Sequence, residues 1–141
     1  MYKEYPRFYN YETLDYGRKS RTDDPLLSID EVLDKHDKII EEYAEKHLGG
    51  PIPDENKFRE VGSAESIDSR PEMLRLLKAV ESPAIKAVAV VEVQRLSRGD
   101  LEDAGRLIRI LRYTNTYVIT PMKIYDLRDE YDRDAFEREL K

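Results

Sequence analysis

Residues 85–93 read IKAVAVVEV, and this stretch decides the fold. Its apolar residues run without alternation, and valine dominates them. A strand with one face in water alternates apolar and polar residues, whereas a strand covered on both faces does not need to. The stretch therefore predicts a buried strand of a parallel sheet with helices on both sides.

Moving outward, the flanking segments take turns between helix and strand. On the carboxyl side, Leu101, Ala104, Leu107, Ile108 and Leu111 recur at helical spacing. TYVIT (116–120) is a further strand, stopped by Pro121, and DRDAFERELK (132–141) begins a last helix. On the amino side, Ser69-x-x-Glu72 with Pro71 in the first turn opens a helix whose face is Met73, Leu74, Leu77 and Val80. KFREV (57–61) is a short strand, followed by the polar stretch GSAESIDS (62–69). Before it, Ser28 and Glu31 form a capping box. Ile29, Val32, Leu33, His36, Ile40 and Tyr43 then trace one helical face, and Gly49, Gly50 and Pro51 end it. RTDDPLLS (21–28) is a loop with Asp and Pro as turn residues. A short alternation around Leu14 and Tyr16 is a first strand. The expected fold is a single α/β domain with a mostly parallel sheet of about four to five strands flanked by helices.

Composition narrows the function. The chain has 141 residues, 38% charged and 40% hydrophobic, with no cysteine. Disulfides and cysteine-based metal sites are thereby excluded. His36 and His47 are too far apart for an HExxH pair, and they read as solvated or core-edge residues. No apolar run reaches the roughly 20 residues that span a bilayer, and no signal peptide opens the chain, so a cytoplasmic protein is expected. The formal net charge of −6 argues against holding nucleic acid by bulk electrostatics.

Polar residues gather where the predicted strands end. In open α/β sheets ligands bind outside the carboxyl ends of the strands. Tyr16 to Ser20 leave the first strand, Glu60 the second, Gln94 to Arg98 the third and Thr120 the fourth, with Arg70 opening a helix beside them. Forked guanidinium donors match phosphate oxygens. A serine such as Ser20 among Arg18, Arg95 and Arg98 suits attack on a phosphodiester, with the arginines stabilising charge on the phosphate oxygens. No metal or cofactor is needed if the arginines do that. From spacing alone, the same arginines also read as ordinary surface residues paired with the abundant Asp and Glu. Ser97 reads as a loop hydrogen-bonder, and Glu60 equally as a structural partner of an arginine.

Four segments change that balance. YGRKS (16–20) resembles the Tyr-x-Arg-x-Ser motif of the serine recombinase catalytic domain. SAESIDSRPEMLRLL (63–77) resembles that family's serine-rich loop, Arg-Pro pair and helix. VEVQRLSRGDLEDAGRLI (91–108) resembles its Asp-Arg-Leu-x-Arg segment, and VITPMKIYDL (118–127) a stretch of the large serine recombinases. They stand in the family's order. The resemblance implies a resolvase-like catalytic domain over residues 1–141, a fragment of a longer recombinase with its oligomerisation helix and DNA-binding domains elsewhere.

It further implies that Ser20 is the nucleophile, giving a 5′-phosphoserine bond and a free 3′-hydroxyl. Arg18, Arg70, Arg95 and Arg98 would be the active-site arginines, with Tyr16, Glu60 and Gln94 in support. Double-stranded DNA sites would be the partner, and the intact protein a homo-oligomer, dimer to tetramer. Gln94 departs from the family's frequent Asp. A glutamine accepts a hydrogen bond but cannot carry a proton, so a carboxylate that would orient Arg95 is missing from that position. The competing reading is a non-catalytic α/β module whose arginines bind a phosphorylated ligand or a partner protein. A mononucleotide enzyme is disfavoured by the lack of GxGxxG and GxxxxGK[ST].

Overall fold

A computed structural model describes residues 3–20, 23–61, 70–97 and 101–140. Five strands form one sheet: β1 (Thr13–Arg18), β2 (Lys57–Glu60), β3 (Ala87–Ala89), β4 (Tyr117–Ile119) and β5 (Ile124–Tyr125). Among the described residues four α-helices accompany them: α1 (Ile29–His47), α2 (Pro71–Ala79), α3 (Leu101–Tyr113) and α4 (Glu130–Leu140). The sheet order is β2-β1-β3-β4-β5. The first four strands are parallel, and β4 and β5 pair antiparallel.

The two faces of β3 explain its apolar run. Ala87 and Ala89 join Ile40, Ala44, Leu48 and Ile119 in the layer under α1. Val88 points the other way, among Leu76, Leu77, Leu107, Leu111 and Phe136 of α2, α3 and α4. Small alanines on one side let α1 approach, and both faces exclude water. The strand itself is shorter than 85–93. Beyond Val90, whose N–H still donates to Ile119 O at 2.9 Å, the chain bends into a 3₁₀ turn, Val93–Arg95. Val93 and Leu96 remain in the core from that turn, so their apolar character served packing and not strand pairing.

Three helix faces also differ from expectation. Ile29, Leu74 and Leu101 are exposed. In α2 the buried set is Met73, Leu76 and Leu77, the i, i+3, i+4 stripe, which leaves Leu74 on the water side. Ile29 and Leu101 are the first residues of α1 and α3. His36 is buried at the core edge, whereas His47 is exposed and packs its ring on Tyr43. Val61 lies past the end of β2 and is exposed. The helix α4 begins at Glu130, two residues earlier than its charged run suggested.

This topology places the site. From β1 the chain passes through α1 to β2 on one side, and from β3 through α3 to β4 on the other. Right-handed crossovers in opposite directions put α1 and α3 on opposite faces. The strand order therefore reverses between β1 and β3, and a crevice opens beyond their carboxyl ends. Arg18 ends β1, and Gln94 and Arg95 lie in the turn that follows β3.

Candidate active site

Arg18 closes β1 in register with Glu60 of β2 and is 5% exposed. Its Nε donates to Arg95 O at 2.8 Å and its Nη2 to Gln94 O at 2.8 Å. The last residue of β1 thus holds the main chain of the 3₁₀ turn by its carbonyls. Arg95 reciprocates, donating from Nη1 to Arg18 O at 3.1 Å. Two guanidiniums packed crosswise on each other's backbone are costly unless anions compensate. The compensation at Arg95 comes from Asp23 and Glu92.

Arg70 is fully buried and stands at the N-cap of α2. Its Nη1 donates to Leu96 O at 2.9 Å and reaches Tyr16 Oη at 3.5 Å. Tyr16 Oη in turn donates to Glu60 Oε1 at 3.0 Å. Burial pushes the Tyr16 phenol well above its usual pKa, against the opposing pull of Arg70, so it stays protonated. Glu60 completes the chain of contacts by accepting the N–H groups of Glu72 and Met73 at 3.1 and 3.0 Å. A carboxylate from the end of β2 thereby caps α2, where its dipole favours negative charge. The Ser69 cap expected from the sequence lies outside the described residues.

Ser20 follows two residues after β1 and is half-buried. Its N–H donates to Asp23 Oδ2 at 2.8 Å, and Asp23 N–H returns a bond to Ser20 O at 3.2 Å. The same Asp23 carboxylate meets Arg95 through both oxygens. Despite the cost of its partial burial, these donors hold the Asp23 carboxyl below its usual pKa. His36 faces this group from α1; burial, and then the nearby Arg95, hold its pKa down, so it is neutral. Its Nδ1 and the Oε1 of Gln94 are buried without a hydrogen-bond partner among the described residues.

The structure thus gathers Tyr16, Arg18, Glu60, Arg70, Gln94 and Arg95 at one end of the sheet, with Ser20 tied to Arg95 through Asp23. Arg98 lies outside the described residues. Ser97 is buried at the foot of the turn. Thr120 serves the β4–β5 turn, where Oγ1 accepts from the N–H of Met122 and Lys123. The surface-arginine reading fails for Arg18, Arg70 and Arg95, all of which are buried.

Sequence reasoning missed Asp23 and Glu92. It read Asp23 as a turn residue and looked for the carboxylate partner of Arg95 at position 94. The usable signal was charge balance, since a buried arginine requires a nearby acid. A separate acidic trio, Asp15, Asp37 and Glu41, already holds its own cation: Lys57 Nζ lies 3.5 Å from Asp37 and 3.4 Å from Glu41.

Two comparisons bear on this arrangement. The family described as "Resolvase, N terminal domain" matches residues 13–138. Among solved structures, the crystal structure of the N-terminal catalytic domain of TP901-1 integrase is similar, with a TM-score of 0.65 at 22% identity. The match covers 91% of this chain and 97% of that one, and at that identity it is a likeness of fold. With residues 13–138 of its 141 matched, the chain belongs to the resolvase N-terminal domain family.

Proposed function

We propose that the protein is the catalytic domain of a large serine recombinase, which carries out site-specific DNA recombination for a mobile element. In this reading Ser20 Oγ attacks a DNA phosphorus and the bond to the 3′-oxygen breaks. The products are a 5′-phosphoserine ester and a free 3′-hydroxyl, the departing 3′-oxygen taking up a proton in place of the one that the serine hydroxyl gives up. After strand exchange a 3′-hydroxyl attacks the phosphoserine, so each step trades one phosphoester for another. No ATP is required, because the phosphoserine ester conserves the energy of the broken phosphodiester, and no metal, because guanidiniums supply the charge stabilisation in both directions.

The observation that carries this reading is the buried trio Arg18, Arg70 and Arg95 at the sheet's switch point, with Ser20 tied to Arg95 through Asp23, in a chain of the resolvase family. Arg98 joins them by its place in the motif. Tyr16 and Glu60 position Arg70 and α2, and Gln94 offers a buried acceptor to the site. The likeness to an integrase catalytic domain and the segment at 118–127 favour the large subgroup. Oligomerisation and DNA binding belong to further domains, in keeping with the net charge of −6.

The test is Ser20→Ala in a recombination assay on plasmid substrates, with DNA occupancy followed in parallel. Strand cleavage falls to background while occupancy is retained. Cleavage at the wild-type rate would reject the nucleophile and favour a module that only binds phosphorylated ligands.

A further inference from the structure

A guanidinium binds phosphate through its N–H bonds, and at Arg95 every N–H is taken. Nε donates to Glu92 Oε1 at 2.8 Å. Nη2 lies 2.6 Å from the same oxygen and donates to Asp23 Oδ1 at 3.1 Å. Nη1 donates to Arg18 O and to Asp23 Oδ2. Glu92 thus covers one edge of the fork and Asp23 covers its end. The Asp23 contact is the two-pronged geometry that a phosphate also takes on arginine. The Arg95 side chain is 6% exposed, so a phosphate cannot add to this set. It must replace a member of it.

Of the two carboxylates, Asp23 has the second connection that matters. Its Oδ2 also accepts the Ser20 N–H. One side chain therefore links the arginine fork to the backbone of the serine.

We propose that Asp23 is an internal competitor of the DNA phosphate: its carboxylate occupies the phosphate-binding end of Arg95 in the unliganded protein, and a phosphate engages Arg95 by displacing it. This rests on the assignment of Arg95 as a phosphate ligand. Exchange of one anion for another never leaves the guanidinium bare, which keeps the barrier to exchange low. Displacement also takes the Asp23 acceptor away from the Ser20 N–H, so arrival of the phosphate and loss of that contact beside the serine are a single event. The carboxylate absent from position 94 thus reappears on the nucleophile's own loop as a removable one.

The test uses inorganic phosphate as the probe and the chain as it stands, followed by ¹⁵N NMR. Asp23→Asn keeps the side-chain size and removes the charge. Its phosphate affinity rises at least about fivefold over wild type, the lower end of ordinary coupling between sites. The rise disappears in the Asp23→Asn, Arg95→Gln double variant and does not occur in Asp24→Asn, an exposed neighbour of equal charge. In the wild type the Ser20 amide and the Arg95 Nε resonances shift along one saturation curve. That second readout decides the matter if the Asn variant does not fold. Unchanged affinity in Asp23→Asn, an equal rise in Asp24→Asn, or an Arg95 shift without a Ser20 shift would overturn the proposal. A DNA adduct on Ser20 together with unchanged affinity in Asp23→Asn removes the competitor and leaves the recombinase. The affinity rise without any adduct does the reverse.

Discussion

Glu60 is 1% exposed, yet three donors converge on it: the Tyr16 phenol and the N–H groups of Glu72 and Met73. Removing its carboxylate leaves all three without their acceptor. Glu60→Ala should therefore destabilise the fold by about 1.5–3 kcal/mol, the range for hydrogen bonds to charged groups, measured by urea denaturation. Glu60→Gln, which keeps one acceptor oxygen, should lose less. Asp15 behaves in the opposite sense. Burial raises its pKa well above the usual value, Asp37 beside it raises it further, and Lys57 only partly opposes them. The folded state then holds a proton that the unfolded state has lost, so stability falls as pH rises through the folded pKa. Asp15→Asn should raise the melting temperature near neutral pH, and the gain should shrink as pH falls towards the ordinary Asp pKa of about 3.9. A gain that is constant with pH would contradict this account of Asp15. At this scale the site was half legible. The arginines and Ser20 stand out by motif, but their counter-charges do not. Asp23 and Glu92 are ordinary acids in sequence; the fold brings Asp23 to Arg95 from 72 residues away, and the local turn brings Glu92 from three.

Among the elements, β1 was the hardest to read and lies next to the switch point. Its six residues are all buried, yet Thr13, Asp15, Gly17 and Arg18 interrupt any apolar pattern. Each has a local reason. Thr13 Oγ1 donates back to Tyr9 O at 2.9 Å, Asp15 lies beside Asp37, and Arg18 is spent on the site. Gly17 faces α1, where an added Cβ would stand 3.2 Å from Leu33 Cδ2. Gly17→Ala should cost about 1 kcal/mol through overpacking, visible as a lower urea midpoint with an unchanged m-value. An unchanged midpoint would mean that Leu33 yields without cost. By contrast, the existence of β3 and the start of α1 were legible, although the apolar run at 85–93 overstated the strand, because Val93 packs into the core from the turn that follows it. The Ser28 box is formed as read, with Glu31 N donating to Ser28 Oγ and Ser28 N to Glu31 Oε1. The two-residue β5 carries no periodicity, so no pattern could announce it.

For the whole molecule, the site's local cations sit in a chain of net charge −6. Long-range attraction to a polyanion is weak in such a chain, and a few buried arginines add little to it. The isolated 141-residue chain should bind duplex DNA no more tightly than the non-specific range of about 10⁻⁴ to 10⁻⁶ M at physiological salt, as measured by fluorescence anisotropy. Submicromolar binding would contradict the assignment of DNA affinity to other domains. The proposed chemistry, however, turns on one bond, from Ser20 Oγ to phosphorus. Its most direct measurement traps the intact recombinase on its DNA site with a substrate that prevents rejoining, then maps the protein–DNA adduct by mass spectrometry. The expected result is a phosphodiester-derived adduct on Ser20, formed without divalent metal and absent from Ser20→Ala. An adduct on another residue, or DNA cleavage with no covalent adduct, would contradict it.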